Sequence, residues 1–92
     1  MLRLNCFFQA KDQKSYVTAL KAAVDLTEKS QKHEGNIAYD VFSSATRPDV
    51  FIICETWENQ EVLDKHVATP EFKEDVRIMN ECGVLKVEQF VF

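Results

Sequence analysis

Three features of the 92-residue chain predict a single α+β domain, a four-stranded antiparallel sheet with its helices on one side. Four short segments carry strand-like patterning. A long amphipathic stretch follows the first of them, and two shorter ones precede the last. The two glycines and two prolines fall between these segments or at their ends, where punctuation belongs.

Period two marks the first strand, residues 2–9, in which Leu2, Leu4, Cys6 and Phe8 alternate with Arg3, Asn5, Phe7 and Gln9. A helical pattern then runs from about residue 13 to 32. Its expected apolar stripe is Tyr16/Val17, Leu20, Ala23/Val24 and Thr27, with Leu26 outside it. Lys21–Asp25, Asp25–Lys29 and Glu28–Lys32 are spaced i, i+4 on the expected solvent side. Gly35 supplies the stop signal.

Two strands rich in β-branched and aromatic residues should follow, Asn36–Ser43 and Val50–Trp57, joined by the polar, proline-bearing residues 44–49. Asn59 is a good N-cap for a short helix, with Glu61 and Asp64 near its positively polarised start. That helix carries Val62, Leu63, His66 and Val67 on one face. Thr69-Pro70 restarts a helix, proline being tolerated at the first helical position. Phe72, Val76 and Met79 form its inner face, Gly83 ends it, and residues 84–92 read as the last strand. The order β-α-β-β-α(α)-β is the split βαβ, ferredoxin-like arrangement, spanning residues 1–92 as one domain.

Both faces of the predicted sheet are apolar. Phe51, Ile53 and Trp57 oppose Val50, Ile52 and Cys54, while Leu85, Val87 and Val91 oppose Val84, Phe90 and Phe92. Helices can cover only one face, and an uncovered apolar sheet predicts a homodimer packed through the other. A formal net charge of −4 disfavours nucleic acid as a partner, which calls for a basic surface. The longest wholly apolar run, residues 50–54, is far short of the ~20 residues that span a bilayer, and the first residues lack the apolar core of a secretory signal. Three widely spaced cysteines suit a reducing, cytoplasmic compartment and are expected as small buried hydrophobes.

The chain has no glycine-rich phosphate loop, no GxSxG, HExxH or CxxC, and its cysteines and histidines match no metal-ligand spacing. Neither a metal nor a bound cofactor is expected. His66 stands out, because it places an ionisable ring on the helix face that meets the sheet. It is either a general base or a buried histidine satisfied by a backbone carbonyl. His33, at the polar end of the long helix, is expected to be a charge favourable to that helix terminus. Trp57 is either a core filler or an indole donor to a ligand oxygen. Tyr39 and Phe72 are either core or pocket wall, and Glu55, sharing strand parity with Trp57, is either an inward acid or a strand-end charge.

The stretches Glu34-Gly35-Asn36-Ile37-Ala38-Tyr39-Asp40-Val41, Phe51-Ile52-Ile53-Cys54-Glu55-Thr56-Trp57-Glu58-Asn59, Leu63-Asp64-Lys65-His66 and Thr69-Pro70-Glu71-Phe72 resemble the antibiotic biosynthesis monooxygenase family. The resemblance covers about residues 13–76 and rests on order and spacing. It implies a dimeric α+β barrel of ferredoxin-like protomers and a cofactor-independent monooxygenase acting on a quinol-like or phenolic small molecule. In that frame His66 is the base, Trp57 the oxyanion donor or aromatic wall, and Tyr39, Ile53, Glu55, Val62 and Phe72 shape the substrate pocket. Haem-degrading relatives place an iron-binding histidine near the position of Val76, so haem degradation is not expected. The resemblance extends to a subgroup that processes a phosphorylated autoinducer-2-type sugar, for which only Arg47, Lys65, Lys73 and Arg77 could hold the phosphate. A third reading, of a different class, is a non-catalytic dimer that binds a small apolar ligand.

Overall fold

The structure, a computed structural model, describes residues 1–92 as β1 (Leu2–Ala10), α1 (Gln13–Ser30), β2 (Asn36–Ser43), β3 (Val50–Trp57), α2 (Gln60–Val67), α3 (Pro70–Cys82) and β4 (Gly83–Val91). The strands form one antiparallel sheet in the order β2-β3-β1-β4, which is the expected ferredoxin-like arrangement. No helix is long and apolar enough to cross a membrane.

β1 is central because it pairs with both β3 and β4, and its alternation decides which side chains enter the core. Leu2, Leu4, Cys6 and Phe8 are buried beneath the helices. Phe8 stacks on Phe51 at 4.6 Å between ring centroids, and Tyr16 of α1 meets Phe51 edge-on at 6.0 Å. The inward residues of β3 are Phe51, Ile53, Glu55 and Trp57, all buried. Sheet, helices and one acid therefore share a single interior.

The buried stripe of α1 differs from the expected one. Val17 and Val24 are 48% and 40% exposed, whereas Leu26 is 1% exposed and sits in the core. The buried face comprises Tyr16, Ala19, Ala22, Ala23, Leu26, Thr27 and Ser30, at helical spacing, and Tyr16, Ala23 and Thr27 are as expected. Hydrophobic size favours the valines, but the buried face of α1, which packs against α3 among other elements, carries Ala19, Ala22 and Ala23 instead. The helix also ends at Ser30, two residues before the expected limit. Gly35 then turns the chain with φ +77°, and a Cβ there would lie 2.5 Å from Val62 Cγ2, so the glycine seats α2 against this turn.

The α1–α3 contact also buries Asp75, whose Oδ2 has no partner. Burial, and then neighbouring Asp25, push its carboxyl up to about 7. Asp25 is held below its usual range, chiefly by the neighbouring Asp75 carboxyl and by its bond from Lys29 at 2.9 Å. A raised folded-state pKa gives stability that is complete in acid and is lost as pH rises through about 7. Asp75→Asn is therefore expected to raise stability at pH 8 by about 1 kcal/mol, roughly 4–8 °C in Tm, and by only about a third as much at pH 5. Thermal melts at both pH values check this, and equal shifts at both would contradict it.

The face of the sheet away from the helices is uncovered. Phe42, Ile52 and Phe7 lie in one row across β2, β3 and β1, with exposed Val84 and Phe90 flanking them on β4. On the helix side, β4 is only partly roofed. Leu85 is half-buried and Val87 exposed, because the helices stop short of that end of the strand. The gap left between β4, α2 and α3 opens into the candidate site.

Candidate active site

A cavity of about 310 Å3 lies between the inner face of the sheet and the helices, and 12 of its 16 lining residues are apolar. Its polar lining consists of Glu55, His66, Gln60 and Gln89 together with the Tyr39 hydroxyl and the Cys6 thiol; no lysine or arginine reaches it. Gln60 and Gln89 are exposed and hydrogen-bonded to each other across the mouth at 3.0 Å. Glu55 and His66 are buried deeper.

α2 delivers His66. Asn59 caps the helix by accepting the Val62 amide N–H at 3.0 Å. At the other end, Thr69 donates its hydroxyl to the His66 carbonyl at 2.7 Å and accepts the Phe72 amide N–H at 3.3 Å, joining α2 to α3. The spacing of Val62, Leu63 and His66 turns all three inward.

The imidazole of His66 is 1% exposed and enclosed by aromatic rings: Trp57 at 4.4 Å, Phe72 at 5.0 Å and Tyr39 at 5.8 Å between centroids. Its Nδ1 lies 2.9 Å from Nδ1 of His33, and its Nε2 is buried with no partner. Burial, then the proximity of His33, lower its pKa to about 4, so the ring is neutral at pH 7. No backbone carbonyl satisfies the ring.

Glu55 is the inward acid of the two alternatives. Its Oε1 accepts the indole N–H of Trp57 at 2.8 Å and its Oε2 accepts the Cys6 thiol at 3.4 Å. Burial raises its pKa, while those two bonds and Tyr39 oppose the rise. The same burial pushes the Tyr39 phenol and the Cys6 thiol far up, so both stay protonated.

Of the residues expected at the site, His66, Glu55, Tyr39, Ile53 and Phe72 line the cavity. Trp57 and Val62 do not. Trp57 stands behind His66 with its only donor committed to Glu55, which leaves no N–H for a substrate oxyanion. Val62 is turned toward Gly35 and lines a smaller recess on the far side of His66. His33 was expected as a terminal charge, yet it is bonded to His66 on one side and, through Nε2, to Glu71 at 3.1 Å on the other. A long-range pairing of the chain's two histidines has no local signature. The one available hint is that His33 precedes the Gly35 turn, which leads the chain past α2.

The sequence pattern of the antibiotic biosynthesis monooxygenase family matches residues 1–77. The chain belongs to the antibiotic biosynthesis monooxygenase family. YcnE of Bacillus subtilis (strain 168), provisionally named a monooxygenase, is 27% identical over 73 residues, covering 79% of this chain and 76% of its own. Among solved structures, a conserved Bacteroides thetaiotaomicron VPI-5482 protein of unknown function, described as a candidate oxidoreductase, superposes with a TM-score of 0.95. It is 47% identical and the match covers 99% of this chain and 96% of that one. A crystal structure described as an antibiotic biosynthesis monooxygenase gives a TM-score of 0.89 at 26% identity, over 100% of this chain and 98% of that one.

Of Arg47, Lys65, Lys73 and Arg77, the four cations that a phosphorylated sugar would need, none lines the cavity. Lys65 pairs with Glu34 at 3.4 Å, Arg77 is held between Glu74 and Glu81 at 2.7 Å each, and Arg47 lines a separate hollow beside Phe7 and Lys86.

Proposed function

We propose that this chain is a cofactor-independent oxidising enzyme for a small quinol-like or phenolic molecule, with neutral His66 as the proton acceptor. The observation that carries the reading is that His66 lines an apolar cavity without cations and keeps its buried Nε2 unpartnered. An electron-rich phenolate can pass an electron to dioxygen directly, so the protein needs to bind the phenol, ionise it and exclude water. A volume of about 310 Å3 suits a small ring system. Tyr39, Ile53 and Phe72 supply its walls, and Glu55, kept toward its neutral form by burial, faces it as a hydrogen-bonding group. Trp57 acts by holding Glu55 and backing the imidazole. A phosphorylated sugar is disfavoured by the absence of a lining cation.

Oxygen uptake with menadiol-type quinols tests the reaction. Protein-dependent uptake in air, with no product formed under strict anaerobiosis, is expected. Equal product formation without oxygen would overturn the oxidation, and tight binding without any turnover would leave a ligand-binding protein instead.

The uncovered row of Phe42, Ile52 and Phe7 supports a homodimer in which two sheets pack face to face, in a reducing, cytoplasmic setting that keeps the three cysteines free. Light scattering at micromolar concentration should give twice the chain mass. Phe7→Lys combined with Phe42→Lys should give monomer, and a wild-type monomer would overturn the packing.

A further inference from the structure

His66 is the single residue that lines both the large apolar cavity and a second, polar recess of about 120 Å3 bounded by His33, Glu34, Lys65 and Thr69. One ring nitrogen is free while the other is bonded to His33, whose far nitrogen is bonded to Glu71. The geometry points to a proton relay, Glu71–His33–His66, that carries the substrate's proton out of the apolar cavity to the polar recess; it rests on the reading of His66 as acceptor.

The hydrogen-bond roles follow from the end of the chain. Glu71 lies at the start of α3, and its backbone amide and His33 keep its carboxyl below the usual range, so it is an acceptor only. Nε2 of His33 therefore carries the hydrogen. In neutral His33 the Nδ1 is then a lone pair, which must accept Nδ1–H of His66. That tautomer leaves Nε2 of His66 bare and able to take a proton.

The transfer balances. The substrate O–H bond breaks and its proton joins Nε2 of His66, while the hydrogen on Nδ1 of His66 crosses 2.9 Å to Nδ1 of His33. The products are a substrate oxyanion, a neutral His66 protonated on Nε2, and a His33 imidazolium against the Glu71 carboxylate. No electron moves in this step, and the proton later leaves His33 for solvent at the recess.

The relay answers a difficulty that His66 alone cannot. A phenol that ionises near pH 10 in water would yield its proton to an isolated base of pKa about 4 only about once in a million. Passing the charge to His33 places it beside a carboxylate in a partly exposed site, the side chains of His33 and Glu71 being 15% and 29% exposed. The other groups facing the pair largely offset one another. Lys65 and Glu34 are ion-paired at the recess, Lys29 of α1 lies on the Glu71 side, and Glu55 and Tyr39 face the cavity side. His33 and Glu71 touch no substrate in this scheme and are positioning residues.

Nitrogen-15 NMR of the histidine rings in the ligand-free protein tests this without reference to turnover. His66 is expected as the Nδ1–H tautomer at high pH. On acidification it should invert to Nε2–H with the same midpoint at which His33 protonates, and Glu71→Gln should move that shared midpoint to lower pH. A His66 that keeps one tautomer throughout the His33 titration would overturn the relay. In turnover, His33→Asn should lower kcat about 10–100-fold with KM little changed. It should also move the acid limb of kcat/KM away from the His33 midpoint seen in the wild type. Unchanged kcat and an unchanged acid limb in His33→Asn would overturn the relay while leaving His66 as acceptor. A coupled tautomer switch in a protein that oxidises no quinol would instead overturn the proposed reaction and keep the relay.

Discussion

Replacing His66 with alanine is expected to lower quinol turnover by about 10²-fold or more, the usual cost of deleting a positioned general base. His66→Gln should lose about as much. Glutamine approximates the volume and can accept a hydrogen bond, but it cannot take up a proton. Free imidazole should restore part of the activity of His66→Ala, because the deletion leaves a hole between the apolar cavity and the recess that lies behind it. A substrate already ionised at the assay pH should lose far less in both variants, which separates proton removal from binding. The substitution also has a stability signature. A histidine whose pKa falls from 6.5 to about 4 on folding holds the native state less well as pH drops through that interval. The wild-type protein should therefore lose stability between those values, and His66→Ala should lose less of it.

Trp57→Phe is expected to cost about 1–3 kcal/mol of stability at neutral pH while leaving the fold intact. Phenylalanine keeps a ring behind the imidazole but removes the 2.8 Å bond to Glu55, whose buried carboxyl then keeps the 3.4 Å bond from the Cys6 thiol and the influence of Tyr39. With one of its ionising bonds gone, Glu55 should titrate even higher. Its folded-state pKa is already raised, so its contribution is complete in acid and lost as pH rises through that pKa. The penalty of Trp57→Phe should accordingly grow with pH. Urea melts at pH 5 and pH 8 check the trend, and a pH-independent penalty would show that the indole acts through packing alone. If the indole acted as the oxyanion donor, kcat would fall steeply. With the N–H committed to Glu55, a modest change in kcat is expected.

The fold was legible because its elements carry clean periods and clear punctuation. Alternation in residues 2–9 assigns Leu2, Leu4, Cys6 and Phe8 to the core, and Asn59, Thr69-Pro70 and Gly83 set the helix limits where the structure has them. The helix face of α1 was less legible, since an alanine stripe carries little hydrophobic signal beside exposed Val17 and Val24. At the site, the side on which His66 lies could be placed because Val62 and Leu63 fix its face, whereas strand parity with Trp57 left Glu55 open as an inward acid or a strand-end charge. The partners of these groups could not be placed. Whether Trp57 donates to a ligand or to Glu55, and whether His33 meets solvent or His66, depends on side chains brought together across 33 residues of sequence in the second case. Val62 shows the same limit at short range. Helical spacing turns it inward, but the missing side chain of Gly35 draws it away from the cavity.

In the proposed reaction an apolar cavity presents a bare imidazole nitrogen able to ionise a phenol. Titrating para-nitrophenol into the protein, at a pH below the phenol's own pKa, reads that ionisation out, because phenol and phenolate absorb at different wavelengths. Binding should be accompanied by the phenolate band in the wild-type protein and by the neutral phenol band in His66→Ala. A ligand that binds both proteins as the neutral phenol, or ionises equally in both, would contradict it.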